Sequence, residues 1–267
     1  MHALLEDGVA NYALPLDAAA VPLNTLLGRS INLSYSGEIH CINCGRRTKK
    51  SFNQGYCYPC FSRLAQCDSC IIKPEKCHYA AGTCREPAWG EEHCMIDHVV
   101  YLANTSGLKV GITRSTQVPT RWIDQGATAA IPIFRVATRL DSGLVEVLFA
   151  EHVADKTAWQ ANLKGPGEVV DLAAARDRLT EVCAPGLETL AAERGIGAIN
   201  PLVDQSETRI AYPVLEYPHK VKSLTLDKVP EIRGRLVGIK GQYLILDTGV
   251  VNIRRHAGYR VQFSAAA

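Results

Sequence analysis

The sequence predicts an α+β fold, and three patterns carry that reading. Short runs that alternate apolar and polar residues, such as SINLSYSGEIH at 30–40 and IRGRLVGIK at 232–240, read as strands near both ends. Residues 144–163 and 168–194 place apolar side chains at helical spacing. Nine of the ten cysteines fall within residues 41–94. The expected layout is a β-rich segment with the cysteines over 1–97, a mixed α/β core over 98–166, a helical link over 167–200 and a β-rich C-terminal domain over 201–267.

The chain has 267 residues and a net charge of +2, so the molecule as a whole is not a polycation. The balance shifts along its length. Residues 201–267 carry ten Lys and Arg against six Asp and Glu, whereas residues 1–200 carry nineteen against twenty-one. A modestly basic end points toward a polyanionic partner. The opening MHALLEDGVANYALPL has no cationic segment followed by a long apolar run, so it does not read as a secretory signal. No apolar run approaches the ~18–20 residues of a membrane span. A cytoplasmic location follows as the expectation. Thiols stay reduced there, and clustered cysteines then favour metal over disulfides.

The first strand, YALPL, is bounded by Pro and Gly signals, and the run at 30–40 leads directly into Cys41. Cys41 and Cys44 form one C-x2-C pair and Cys57 and Cys60 another, with twelve residues between. Two such pairs aim four thiolates at one point, which makes a tetrahedral zinc site closed to substrate. Arg46, Arg47, Lys49 and Lys50 follow the first pair, with Phe52, Tyr56, Tyr58 and Phe61 nearby. Cations neutralise phosphates and aromatic faces stack on bases; the bland reading is a solvated turn over a small aromatic core. Cys67 and Cys70 form a third pair, followed by Cys77, Cys84 and Cys94, with His78, His93 and His98 beside them. Cys67 and Cys70 plus two of the last three are the expected second zinc site. An iron–sulfur cluster would also accept four thiolates. Cys183, alone in an apolar helical pattern, reads as a small buried hydrophobe.

Beyond the cysteines, VVYLA and LKVGIT read as two strands joined by the turn Asn104-Thr105-Ser106-Gly107. Gly111 inside the second strand signals a close backbone approach. A short helix after Pro119 carries Arg121 and Trp122, and AAIPIFRVA is a third strand. Helices at 144–163, 168–183 and 186–194 follow, the last two split by Pro185-Gly186. From Arg209 onward RIAYPVLEY, KSLTLDK, IRGRLVGIK, QYLILDT, VVNIRR and YRVQF read as the strands of a barrel or curled sheet.

Residues 99–146 resemble the GIY-YIG nuclease core. Val99-Val100-Tyr101 stands where the first triplet of that family falls and Lys109-Val110-Gly111 where the second does, with Arg121 on the following helix and Glu146 on the next. The segments CGRRTKKSFNQGYCYPC, KVGITR and RWIDQGA also resemble a family of bacterial zinc-ribbon proteins known only as a domain of unknown function, most clearly over 30–165. The nuclease resemblance implies that Tyr101 acts on the attacking water, that Arg121 stabilises charge on the phosphate and that Glu146 holds one Mg2+. It also implies a weaker match at Asn162. Two positions depart from the pattern. Lys109 replaces the second tyrosine, and Gln125 stands where a histidine is common; both changes remove groups that handle protons.

The function expected from these features is that of a zinc-binding protein that binds DNA or RNA on a GIY-YIG-like core, without cleavage being assured. The phosphate-facing residues would be Arg46, Arg47, Lys49, Lys50, Lys109, Arg114 and Arg121, with Arg254 and Arg255 of the tail. Two alternatives stand beside it. One is a divalent-metal-dependent endonuclease using Tyr101, Lys109, Arg121 and Glu146. The other is a zinc-stapled protein-interaction module.

Overall fold

The computed structural model describes residues 1–17, 19–153 and 159–266 and is a mixed α+β structure. Its centre is the strand His98–Asn104, all seven residues of which are buried. It pairs antiparallel with Leu108–Arg114 on one side and Ala129–Val136 on the other. Ile199–Pro201 and Thr208–Arg209 add to the outer side of Ala129–Val136 and complete a five-stranded sheet. Leu108–Arg114 is therefore an edge strand.

Side chains alternate across a strand, and each face of this one meets a different layer. Val100 and Leu102 join Ile131, Phe134, Val145, Phe149, Leu172 and Leu179, beneath the helices Arg139–Ala150 and Leu172–Arg194. Val99, Tyr101 and Ala103 face a second core. It is built with Tyr12 and Leu14 of the N-terminal strands, Trp122 and Ile123, and Ile232, Ile239 and Leu244 of the C-terminal sheet. Leu108, Val110 and Ile112 share the helix-facing core, as their spacing predicts. Cys183 is buried in the same layer.

A three-stranded antiparallel sheet holds His2–Glu6, Val9–Leu16 and Ala19–Pro22. The third sheet runs in the order Ser223–Leu224, Gly249–Asn252, Tyr243–Leu246, Glu231–Lys240, Ser30–His40 and Tyr259–Ala265. Ser30–His40 thus lies between two C-terminal strands, and the two ends of the chain share a sheet. The far end of Ser30–His40 also pairs with the two-residue strand Arg47–Thr48, so the first cysteine pair sits on the loop between them.

Three local expectations change. The helices expected at 168–183 and 186–194 are one helix, Leu172–Arg194, with Pro185 inside it. A proline removes a single backbone donor, and packing of Leu172, Leu179 and Cys183 outweighs that loss. RIAYPVLEY enters a regular strand only at Arg209, in Thr208–Arg209; Ala211 and Val214 make single bridges to Val9 and Gly238, and Pro213 between them has no N–H to donate. The helix expected at 144–163 appears as Arg139–Ala150 and Trp159–Asn162, while 154–158 lie outside the described residues. Among the described residues no helix is long and apolar enough to cross a membrane.

The helix Arg139–Ala150 starts on Thr138, whose hydroxyl accepts from the Asp141 backbone N–H and donates to the Asp141 carboxylate (2.6 Å). One turn in, Gly143 lets the cysteine-rich segment lie directly against the helix. A Cβ there would meet the Pro74 side chain at 2.6 Å and the backbone of Pro74 and Glu75. Gly143→Ala is expected to cost about 1–3 kcal/mol in urea unfolding.

His98 opens the central strand fully buried. Its Nδ1 meets the Ile96 carbonyl at 2.7 Å and its Nε2 has no partner. Burial, with Arg139 and Arg114 nearby, lowers its pKa from 6.5 to about 4. The unfolded chain binds that proton first, so stability falls as pH drops from about 6.5 toward 4. Thermal melts across that range are expected to show a shallower acid loss for His98→Asn than for the wild-type chain.

Candidate functional site

The sulfurs of Cys41, Cys44, Cys57 and Cys60 all lie within 4.8 Å of one another, with Cys44 and Cys57 3.7 Å apart. The chain builds this point in two ways. Cys41 ends the strand Ser30–His40, and the turn through Cys44 closes with the Gly45 N–H on the Cys41 carbonyl (2.9 Å). Gly45 sits at φ +70°, a left-handed conformation suited to glycine. Cys57 instead caps the helix Tyr58–Arg63, and Cys60 follows on its first turn. Burial opposes charge on Cys41. Backbone N–H groups of Cys44, Cys57 and Asn43 outweigh it and bring that thiol down to about 6. Four thiols in one cluster suit a structural zinc ion in a zinc ribbon.

A second feature lies along the edge strand. A cleft of about 710 Å3 is lined by Lys109, Gly111 and Arg114 of that strand, by Arg121 and Gln125, and by Arg139 and Glu146 of one helix. Arg254 comes from the turn Arg254–His256 between two strands of the C-terminal sheet, and Asn53, Trp89 and His93 from the cysteine-rich segment. Lys109, Arg121 and Glu146 therefore share one cavity. Tyr101 does not line it. It is fully buried behind Gly111, where a Cβ would meet the Tyr101 hydroxyl at 2.7 Å. This is the close approach that the glycine signalled. Burial pushes the Tyr101 phenol up to about 12.

Gln125 connects Tyr101 to the cleft. With its amide oriented to suit both neighbours, its nitrogen donates to the Tyr101 hydroxyl (2.9 Å). Its oxygen then accepts from Arg121 Nε (3.3 Å) and Nη2 (3.1 Å). Glu146 is half-buried, and burial raises its carboxyl while Lys109, Arg139 and Arg121 act against that rise. Asn162 lies outside the cleft lining and donates to the Gln125 carbonyl (2.9 Å). It lines an adjoining pocket of about 160 Å3 that shares Lys109, Asp124 and Gln125 with the cleft. Trp159 and Tyr243 stack there with ring centroids 5.4 Å apart.

A family model described as a protein of unknown function, DUF2797, matches residues 28–261. The chain belongs to the DUF2797 family. No curated protein and no solved structure matches it.

In this DUF2797 chain the cysteine-rich segment divides between two places. Cys67 packs with Cys41, Cys57, Cys60 and Leu64, whereas Cys70, Cys77, Cys84 and Cys94 line a separate small cavity. His98 belongs to neither group, and its Nδ1 is tied to the Ile96 carbonyl. The basic turn also stands apart. Arg46, Arg47, Lys49 and Lys50 are exposed, and none lines the cleft. Arg47 meets Glu38 at 3.6 Å, and Lys50 lies over the Phe52 ring at 5.3 Å. Arg255 is likewise outside the lining, while its neighbour Arg254 is in it.

Arg139 is the cleft residue that the sequence reading passed over. It stands seven residues before Glu146, two helical turns away on the same face, and that spacing is the signal that could have found it. Replacing Cys57 by Ser is expected to release one zinc per chain, measured by elemental analysis. The unfolding free energy should fall by on the order of 4 kcal/mol.

Proposed function

We propose that this DUF2797 protein binds nucleic acid in the cleft beside the edge strand. The observation that supports it is the charge of the lining. Lys109, Arg114, Arg121, Arg139 and Arg254 converge there from four segments, against only Glu146 and Asp124. Cations held by a rigid framework neutralise backbone phosphates with little further ordering. The Trp159–Tyr243 pair next door supplies an aromatic face of the kind on which an unpaired base stacks. The zinc ribbon acts in this reading as a scaffold for Asn53 and the wall around it. Its exposed turn at 45–50 stands outside the cleft lining as a separate basic patch.

A GIY-YIG-like endonuclease is the second reading, and the Arg121–Gln125–Tyr101 connection opposite Glu146 favours it. Glu146 would hold Mg2+, and Arg121 would meet the charge that builds on the phosphate. Tyr101 argues for binding without cleavage. Its hydroxyl is sealed behind Gly111, and burial holds its proton on. A water-activating base needs to reach the water.

Fluorescence anisotropy with single- and double-stranded DNA and RNA tests both readings. Affinity is expected to fall steeply with salt, with a log–log slope near about −3 for roughly four phosphate contacts. The double variant Arg114→Glu, Arg254→Glu should weaken binding at least about tenfold. A flat salt response would sink the nucleic-acid readings and leave a zinc-stapled interaction module. Mg2+-dependent strand cleavage that disappears in Glu146→Gln would establish the nuclease over the binder.

A further inference from the structure

The cysteine-rich segment holds a second group of thiols apart from the first cluster and bordering the cleft at Cys94. Cys70, Cys77, Cys84 and Cys94 are separated by six, six and nine residues, which is no familiar knuckle spacing. The fold nevertheless brings all four to the lining of one small cavity, at wider spacing than the 4.8 Å of the first cluster. Cys70 lies on the single turn Ser69–Ile71, Cys77 ends the turn Pro74–Lys76, and Cys94 ends the helix Pro87–His93. Cys84 comes from the loop before that helix. Gly90 of the helix allows the approach, because a Cβ there would stand 3.4 Å from the Cys84 sulfur and 3.0 Å from the Tyr79 ring. We propose that these four thiols bind one zinc ion as a second structural site, and that Cys67 is not a ligand of it.

Three observations carry the assignment. The first is the donor set. Four thiols from separate turns and loops line one cavity, and four sulfur donors are what a closed structural zinc site takes. The second is the divergence of Cys67 from Cys70. The extended Asp68 (φ −70°, ψ 157°) stands between them, and Cys70 lines the cavity while Cys67 does not. Cys67 turns instead into the apolar cluster around Cys41 and Leu64. The third is charge. Four thiolates on one Zn2+ leave a net charge of −2. Arg139 lies beside them, within reach of the charges of Cys94 and Cys70. Its backbone N–H donates to the Cys94 carbonyl (2.8 Å) and its Nη2 to the Ile71 carbonyl (2.6 Å), while its buried Nε has no partner.

Asp68 and His78 are the competing donors, because one atom of each lies within 4.8 Å of Cys70. Asp68 is already engaged. It takes the Arg85 guanidinium at 2.7 Å and the Ser69 N–H at 2.6 Å. His78 holds Thr83 through Nδ1 at 2.8 Å and turns Nε2 to Asp68 at 3.5 Å. Both form a polar rim around Cys70 rather than complete its coordination.

X-ray absorption at the zinc edge, with elemental analysis, tests this on the full-length wild-type chain. The expected result is two zinc ions per chain with an average of four sulfur neighbours each at about 2.3 Å. Cys84→Ser and Cys94→Ser should each retain one zinc, and the surviving four-sulfur signal reports that the first cluster remains folded. Cys67→Ser and His78→Ala should retain two. A single zinc in the wild-type chain overturns the proposal, as does a nitrogen or oxygen neighbour in its absorption spectrum. Loss of a zinc from Cys67→Ser or His78→Ala, two zincs in Cys84→Ser, or iron with a visible charge-transfer band would do the same.

Discussion

Burial of the strand His98–Asn104 on both faces is the constraint on which the rest of the structure depends. A strand without a solvent face must find two apolar layers, and this chain assembles them from widely separated segments. Helices from the middle of the sequence cover Val100 and Leu102. The N-terminal strands and the C-terminal sheet cover Val99 and Tyr101. Because the strand is closed above and below, open ground is left at the edge of its sheet. Leu108–Arg114 supplies that edge, and the cleft follows it.

Tyr101 shows how packing and site chemistry compete for one side chain. Its ring stacks edge-on against Trp122 with centroids 5.8 Å apart, so it is a core residue first. Its hydroxyl reaches the cleft only through Gln125. A group placed this way sets the position of Arg121 more readily than it moves protons. Tyr101, Gln125 and Arg121 are best regarded as one support under the cleft floor, with Glu146 and the surrounding cations as the exposed chemistry.

Much of the fold was legible because it rests on local patterns. The run SINLSYSGEIH marks its strand, two C-x2-C pairs mark the first cluster, and Gly111 marks the approach of Tyr101. What escaped depends on distance along the chain. Nothing local shows that Ser30–His40 sits between Glu231–Lys240 and Tyr259–Ala265. The irregular spacing of Cys70, Cys77, Cys84 and Cys94 hides their common cavity, and the regular C-x2-C of Cys67 and Cys70 gives no sign that Cys67 packs beside Cys41 and Leu64. The cleft could be guessed in its members but not in its limits. Lys109, Arg114, Arg121 and Arg254 meet there, whereas residues 46–50, equally basic in sequence, project elsewhere.

The shared sheet at the two ends also sets an order of events. Strand Ser30–His40 leaves a ribosome long before its neighbours on either side exist, and ribosomal synthesis adds about 5–20 residues each second. For that interval its ladder groups are unpaired except at Ile39 and His40, which can meet Arg47–Thr48, while the adjoining cysteines are already able to take up metal. Metal capture at Cys41 and Cys60 can thus precede closure of the sheet that carries them. The last strand, Tyr259–Ala265, then acts as a clasp. A chain truncated before it would keep its zinc knuckle but expose a long unpaired strand edge, a ready template for aggregation.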